Sequence, residues 1–227
     1  MEHFMLNENV EKDELNIVLI GSFNPVIITP FWLSGKSLIR ESEAISASDK
    51  VRIMHPEIVD YDLDWASLEI TQKKFHLRCT KVPFFEIARD LVVGIFSILK
   101  ETPITSFGYN HNKTITLKNE KRFYEFGNKI SPLSNWSNFL DNPRLQRIDI
   151  LEKESKQKEE GSVSITIYSS IDVDVPYGVV ININDHYNFS TEKDGIKFSS
   201  KYLMEYWANS IDIANNILIK LSNSLQL

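Results

Sequence analysis

Residues 59–65 read Val59-Asp60-Tyr61-Asp62-Leu63-Asp64-Trp65, three carboxylates alternating with four large apolar side chains. A β-strand points successive side chains to opposite faces, so the alternation marks a strand with one wet and one buried face. Downstream, Leu68, Ile70, Phe75, Leu77 and Cys79 carry the pattern on and give a strand pair. A sheet buried on one side needs a cover. The cover follows at once: Pro83 opens residues 84–100, where Phe84, Phe85, Ile87, Ala88, Leu91, Val92, Ile95, Phe96, Ile98 and Leu99 occupy more than half of a helix circumference. Glu86, Arg89, Asp90 and Ser97 leave one narrow polar strip, and Pro103 marks the stop.

Working outward, residues 16–22 and 25–33 are rich in Ile, Val and Phe and predict two short strands or one bent strand, broken at Asn24-Pro25. Residues 34–49 are polar and predict a loop or short helix. Residues 102–117 predict a strand, with Gly108 at a bulge or a close approach. Residues 121–140, broken by Gly127 and Pro132, predict two short helical pieces, the second around Trp136 and Phe139. Strands follow at 145–151, 163–168 and 177–189, with a charged hairpin loop at 152–161 and a turn at Asp194-Gly195. Ser199 or Ser200 then caps a long helix reaching about residue 224, in which Leu203, Tyr206, Trp207, Ile211, Ala214, Ile217, Leu218 and Leu221 keep helical spacing.

The predicted fold is therefore α+β: one antiparallel sheet built from two strand-strand-strand-helix halves, 16–103 and 104–227, with two long helices packed on one face. Residues 1–15 are set apart as an acidic leader, and 16–227 form a single compact domain. The expected core includes Ile17, Leu19, Leu63, Leu68, Phe75, Leu91, Ile95, Ile98, Val179, Ile181, Leu203, Trp207, Ile211 and Leu218.

Three segments carry a resemblance. Phe23-Asn24-Pro25-Val26-Ile27, the helix ending Ile95-Phe96-Ser97-Ile98-Leu99, and residues 179–187 followed by a long terminal helix resemble a sporadically distributed, uncharacterised bacterial protein family of about this length. The resemblance implies a duplicated α+β fold in a prokaryotic cytosol and no established activity. By analogy with other patchily distributed families, it implies a place in phage defence or in a toxin and antitoxin module.

The formal charge is −6, but Glu2, Glu8, Glu11, Asp13 and Glu14 against Lys12 concentrate −4 in the first fourteen residues, leaving −2 for the rest. A bulk basic field for phosphates is absent, which disfavours general nucleic-acid affinity. The single Cys79 cannot form an intrachain disulfide or a cysteine zinc site. No apolar run is long enough to span a bilayer, so the expected location is the cytoplasm, without membrane association. Gly35-Lys36-Ser37 resembles the end of a phosphate loop, yet Pro30 stands where the loop needs its first glycine. Dinucleotide, zinc and nucleophile-elbow signatures are missing, and no cofactor or metal is expected.

The candidate catalytic residues are His111, Asp185 and His186, drawn from Asn110-His111-Asn112 and Asn184-Asp185-His186. If those clusters met, two imidazoles and a carboxylate would suit proton transfer or metal ligation. The plainer alternative is polar residues that end strand pairing. Asp60, Asp62 and Asp64 offer three carboxylates to a cation or simply a solvated strand face. Tyr202, Tyr206 and Trp207, spread around more than one helix stripe, are candidate binding residues. The leading expectation is a non-enzymatic protein-binding or accessory protein, its partner encoded nearby or a second copy of itself. The alternatives are a nucleic-acid-binding protein using a sheet face with Lys73, Lys74, Arg78 and Lys81, and a metal-dependent enzyme with a His/Asp site.

Overall fold

The alternation seen at residues 59–65 recurs along the chain and sorts one sheet into two unlike faces. The computed structural model describes residues 9–152, 161–189 and 197–225. Its strands are β1 (Val10–Gly21), β2 (Val51–His55), β3 (Ile58–Asp62), β4 (Ser67–Thr71), β5 (Lys74–Cys79), β6 (Ile104–Thr116), β7 (Arg147–Glu152), β8 (Gly161–Ser169) and β9 (Gly178–Asn188). Among the described residues they form one antiparallel sheet in the order β2-β3-β4-β5-β1-β6-β9-β8-β7.

The register aligns the apolar rows. Phe75, Leu19, Phe107 and Tyr187 stand side by side across β5, β1, β6 and β9, with Leu77, Ile17, Tyr109 and Asp185 in the next row. Every residue of these two rows is buried, because this face carries the helices. These are α1 (Pro30–Gly35), α2 (Glu41–Ser48), α3 (Phe85–Ile98), α4 (Glu120–Ile130), α5 (Ser200–Glu205) and α6 (Trp207–Leu225). Phe96 of α3 meets Phe75 edge-on, and Trp207 at the start of α6 meets Tyr109 edge-on, so both long helices cover the same face. Each aromatic burial of this kind contributes on the order of 2–3 kcal/mol. Leu33, Ala44 and Ala47 of α1 and α2 join the same cluster over β3 and β4, whereas Phe126 of α4 and Leu218 of α6 belong to a second cluster over β8 and β9.

Local chemistry explains the helix ends. Thr29 accepts from the Trp32 amide and Pro30 takes the first helical position, so α1 begins there. Glu43 reaches back to the Arg40 amide with one oxygen and accepts the Trp65 indole N–H with the other, which ties α2 to the turn after β3.

Several expectations change. Residues 25–33 are not strand: Pro25–Ile27 is a 3-10 turn and α1 follows, because each proline starts a helical turn instead of breaking a strand. Residues 10–15, expected as part of the acidic leader, already belong to the sheet, since β1 runs from Val10 and Leu15 is fully buried. The terminal helix is interrupted at Tyr206, where the Tyr109 hydroxyl donates to the Leu203 carbonyl at 2.5 Å. Ile98, expected in the core, is 42% exposed at the last turn of α3. The hairpin loop at 153–160 and the Asp194-Gly195 turn lie outside the described residues. No described helix is long and apolar enough to cross a membrane.

Candidate functional site

With the described helices on one side, the opposite face of the sheet is open among the described residues, and its central strands carry mostly hydrogen-bonding side chains there. Arg78, Asn16, Asn110, Asn184 and Ser164 form one row across β5, β1, β6, β9 and β8. Glu14, Asn112, Asn182 and Thr166 form the next. Glu14 organises both rows. Its Oε1 accepts from Asn16 Nδ2 at 2.8 Å and from Asn112 Nδ2 at 2.9 Å, while Oε2 accepts from Arg78 Nε at 2.6 Å. Asn182 donates to Asn112 Oδ1, and His76 Nε2 lies 2.7 Å from Asn16 Oδ1.

The chemistry of the carboxylate sets the direction of the chain. Ionised, Glu14 only accepts, so both amides turn their NH2 groups toward it and their oxygens away. Burial pushes the Glu14 carboxyl up, but the donors Arg78, Asn16 and Asn112 together outweigh burial and hold it below the ordinary carboxylate range. Burial, assisted by the Lys74 charge, pushes the half-buried His76 down. The result is an ordered array with an ionised carboxylate at its centre, spread over β5, β1, β6 and β9.

His111, Asp185 and His186 do not converge. His186 pairs with Gly108, four ladder positions from Asn112 and on the open face, where its Nε2 lies 3.0 Å from Asn188 Oδ1. His111 and Asp185 have the other parity and sit under the helices, 4% and 0% exposed. His111 Nε2 lies 3.0 Å from Ser210 Oγ of α6, and Asp185 Oδ2 accepts from the Tyr187 hydroxyl at 2.9 Å. Desolvation, with the charge of Lys113 beside it, pushes His111 down to about 4, so the ring is neutral at pH 7. Among the described residues, no three His, Cys, Asp or Glu side chains are grouped to hold a metal ion.

The aromatic candidates are also redistributed. Trp207 is buried beneath the Arg89 guanidinium, 5.1 Å from its ring, so it is a core residue. Tyr202 and Tyr206 are half-buried in a stack that runs Phe189, Tyr202, Tyr206, Tyr187. Asp60 and Asp62 on β3 share one partner, Arg52, and Asp64, in the turn past the end of β3, pairs with Lys50, so the aspartate triplet is charge-paired and only its first two members share a strand face. Gly108 is a close approach and not a bulge, since the pairing on both sides is regular. A Cβ there would stand 3.0 Å from Asn184 Oδ1.

Glu14, Asn16, Asn112 and Asn182 were not among the candidates from sequence. The signal for them was the alternation Glu14-Leu15-Asn16-Ile17 running into the acidic segment, which makes that segment strand. No protein-family model matches the chain, and no curated protein matches it.

Proposed function

We propose that the protein is a non-enzymatic binding protein whose recognition surface is the open face of the sheet. The observation that carries this is the one-sided architecture: the described helices cover one face, and the other presents a preorganised polar array centred on Glu14. Such an array is already ordered before a partner arrives, so binding does not have to order those side chains again. A polar protein surface is the natural complement. By the resemblance stated above, the partner is the product of a neighbouring gene in a prokaryotic defence or toxin module, met in the cytoplasm.

The strand order supports the duplicated unit as part of this proposal. β1 pairs with β5, the last strand before α3, and β6 pairs with β9, the last before α5 and α6. Each half thus closes its first strand on its last, and the two first strands meet at the centre.

The nucleic-acid alternative has less support. Tyr168 is the one aromatic on the open face among the described residues, and stacking platforms need several. Arg52, Lys74, Arg78 and Arg147 are each already paired with a carboxylate, and Lys81 donates to the Asp64 carbonyl. The enzymatic alternative has no shared His111 and His186 site to stand on.

Co-expression with the product of the adjacent gene tests the proposal. A stable complex is expected, weakened at least tenfold by Asn112→Asp and by Arg78→Glu and unaffected by Glu205→Lys on the helical side. A complex indifferent to both open-face variants would overturn it.

A further inference from the structure

The two edges of the sheet differ. β2 is blunted: its pairing with β3 shifts register between Val51 and Ile53, and its side chains include Arg52 and His55 but no carboxylate. β7 pairs regularly with β8, holds no proline, and leaves Ile150 and Leu151 51% and 61% exposed, one on each face of the sheet. A regular edge strand with apolar side chains on both faces offers an open ladder to another strand. The Ser169 amide donates to the Gln146 carbonyl at 3.3 Å, so the alternation of an antiparallel ladder turns the backbone groups of Ile148, Ile150 and Glu152 toward β8 as well. The amides and carbonyls of Arg147, Asp149 and Leu151 therefore point outward, with no strand beside them among the described residues.

The sequence of this edge selects its partner. When a strand pairs antiparallel with its own copy, a two-fold axis runs through the sheet, and residues directly opposite share a face, so the axis falls on a residue. Centred on Ile148, it sets Arg147 of each copy opposite Asp149 of the other, and the outward backbone groups of these two residues supply the ladder hydrogen bonds. Arg147 and Asp149 already pair within their own strand, and doubling the strand closes the four groups into a ring of alternating charge. The same register continues to Leu145 opposite Leu151 and to Arg144 opposite Glu152, two groups that make no ion pair among the described residues. On the helix side Ile148 meets its own copy with Ile150 diagonal to it, which extends the apolar cluster on which Ile148 packs. Shifting the centre by one residue fails either way: on Arg147 it opposes two guanidiniums, and on Asp149 two carboxylates.

We infer that the chain associates with a second copy of itself through β7, centred on Ile148, so that two nine-stranded sheets join into one antiparallel sheet across a two-fold axis. Because that axis is perpendicular to the sheet, both open faces lie on the same side and form one surface with two symmetry-related Glu14 arrays. The inference stands on β7 and does not depend on what the open face recognises.

Sedimentation equilibrium of the full chain over a micromolar concentration series tests it. A concentration-dependent dimer is expected, and a monomer throughout overturns the inference. Arg147→Asp and Asp149→Arg each set like charges opposite one another across the axis, and each should weaken self-association at least tenfold. Mixed in equal amounts, the two variants should pair with each other within threefold of the parent, since each supplies the charge the other lacks; pairing within one strand cannot produce that rescue, and its failure overturns the inference. Ile148→Cys should cross-link to its own copy under mild oxidation, because the parent's one cysteine, Cys79, is buried, while Ile150→Cys should not. No cross-link at position 148, or one at 150 in its place, overturns the register. Asn112→Asp, on the open face away from β7, should leave the dimer within twofold, so loss of the dimer and loss of the neighbour complex are told apart.

Discussion

Asn16 fixes which ring nitrogen of His76 carries the proton. Its Nδ2 faces the Glu14 carboxylate, so its Oδ1 faces His76 Nε2 at 2.7 Å and can only accept. His76 is therefore expected to be neutral at pH 7 with the proton on Nε2, leaving Nδ1 as an acceptor on the open face. Two-bond proton–nitrogen correlation spectra of the histidine-labelled protein read this directly. A proton on Nδ1 would mean the network runs the other way. Glu14→Gln removes the constraint, and a mixture of tautomers is expected.

His111 should make the fold acid-sensitive in a defined window. Its folded-state pKa of about 4 lies below the ordinary 6.5, so between these values the unfolded chain takes up a proton that the native state refuses. The stabilisation is complete above pH 6.5 and falls as pH drops toward 4, by roughly 3 kcal/mol, levelling off below. Urea unfolding at pH 7, 5 and 4 measures it. His111→Gln should flatten most of the slope, leaving same-signed remainders from His76 and, toward pH 4, from Glu14. An unchanged slope would show that His111 is not the titrating group.

Two glycines should behave differently on substitution by alanine. At Gly21 a Cβ would lie 2.2 Å from the Pro103 carbonyl oxygen, a backbone atom that cannot step aside, and a loss of about 2–3 kcal/mol is expected. At Gly108 the neighbour is the end of the Asn184 side chain, which can rotate, and alanine is intrinsically better in a strand. Gly108→Ala should stay within about 1 kcal/mol of the parent. Thermal or urea melts that rank the two in the opposite order would show that the Pro103 carbonyl is not the harder obstacle.

How much of this was legible follows from where partners sit along the chain. Residues 59–79 could be read locally, because the alternation of Asp60, Tyr61 and Asp62 and of Phe75, His76 and Leu77 is a consequence of the pleat alone. Residues 25–33 could not, since Pro25 and Pro30 punctuate a strand and start a helix equally well until the Thr29 cap is seen. The polar array was hidden for a different reason. Glu14 meets Arg78 and Asn112, 64 and 98 residues away, so no spacing motif exists, and without those partners its charge reads as part of a solvated tail.

Exposure separates two isoleucines that the helical pattern treats alike. Ile95 is fully buried, and Ile95→Ala should cost on the order of 2–5 kcal/mol. Ile98, three residues on, keeps much of its surface in water, and Ile98→Ala should cost under about 1 kcal/mol. Equal losses in chemical denaturation would place Ile98 in the core after all.

β1 precedes the other described strands in the chain and is the most central of them, flanked by β5 and β6. Its apolar row Leu15, Ile17 and Leu19 cannot be enclosed until Phe75 and Phe107 have both been made, so the nascent chain carries β1 with both edges open until β5 is made and with one edge open until β6 follows. Folding should therefore be slow, limited by non-local closure, and dependent on whatever shields that strand during translation. The Glu and Asp residues interleaved in β1 supply part of that shield themselves, as charges that oppose premature strand-to-strand association.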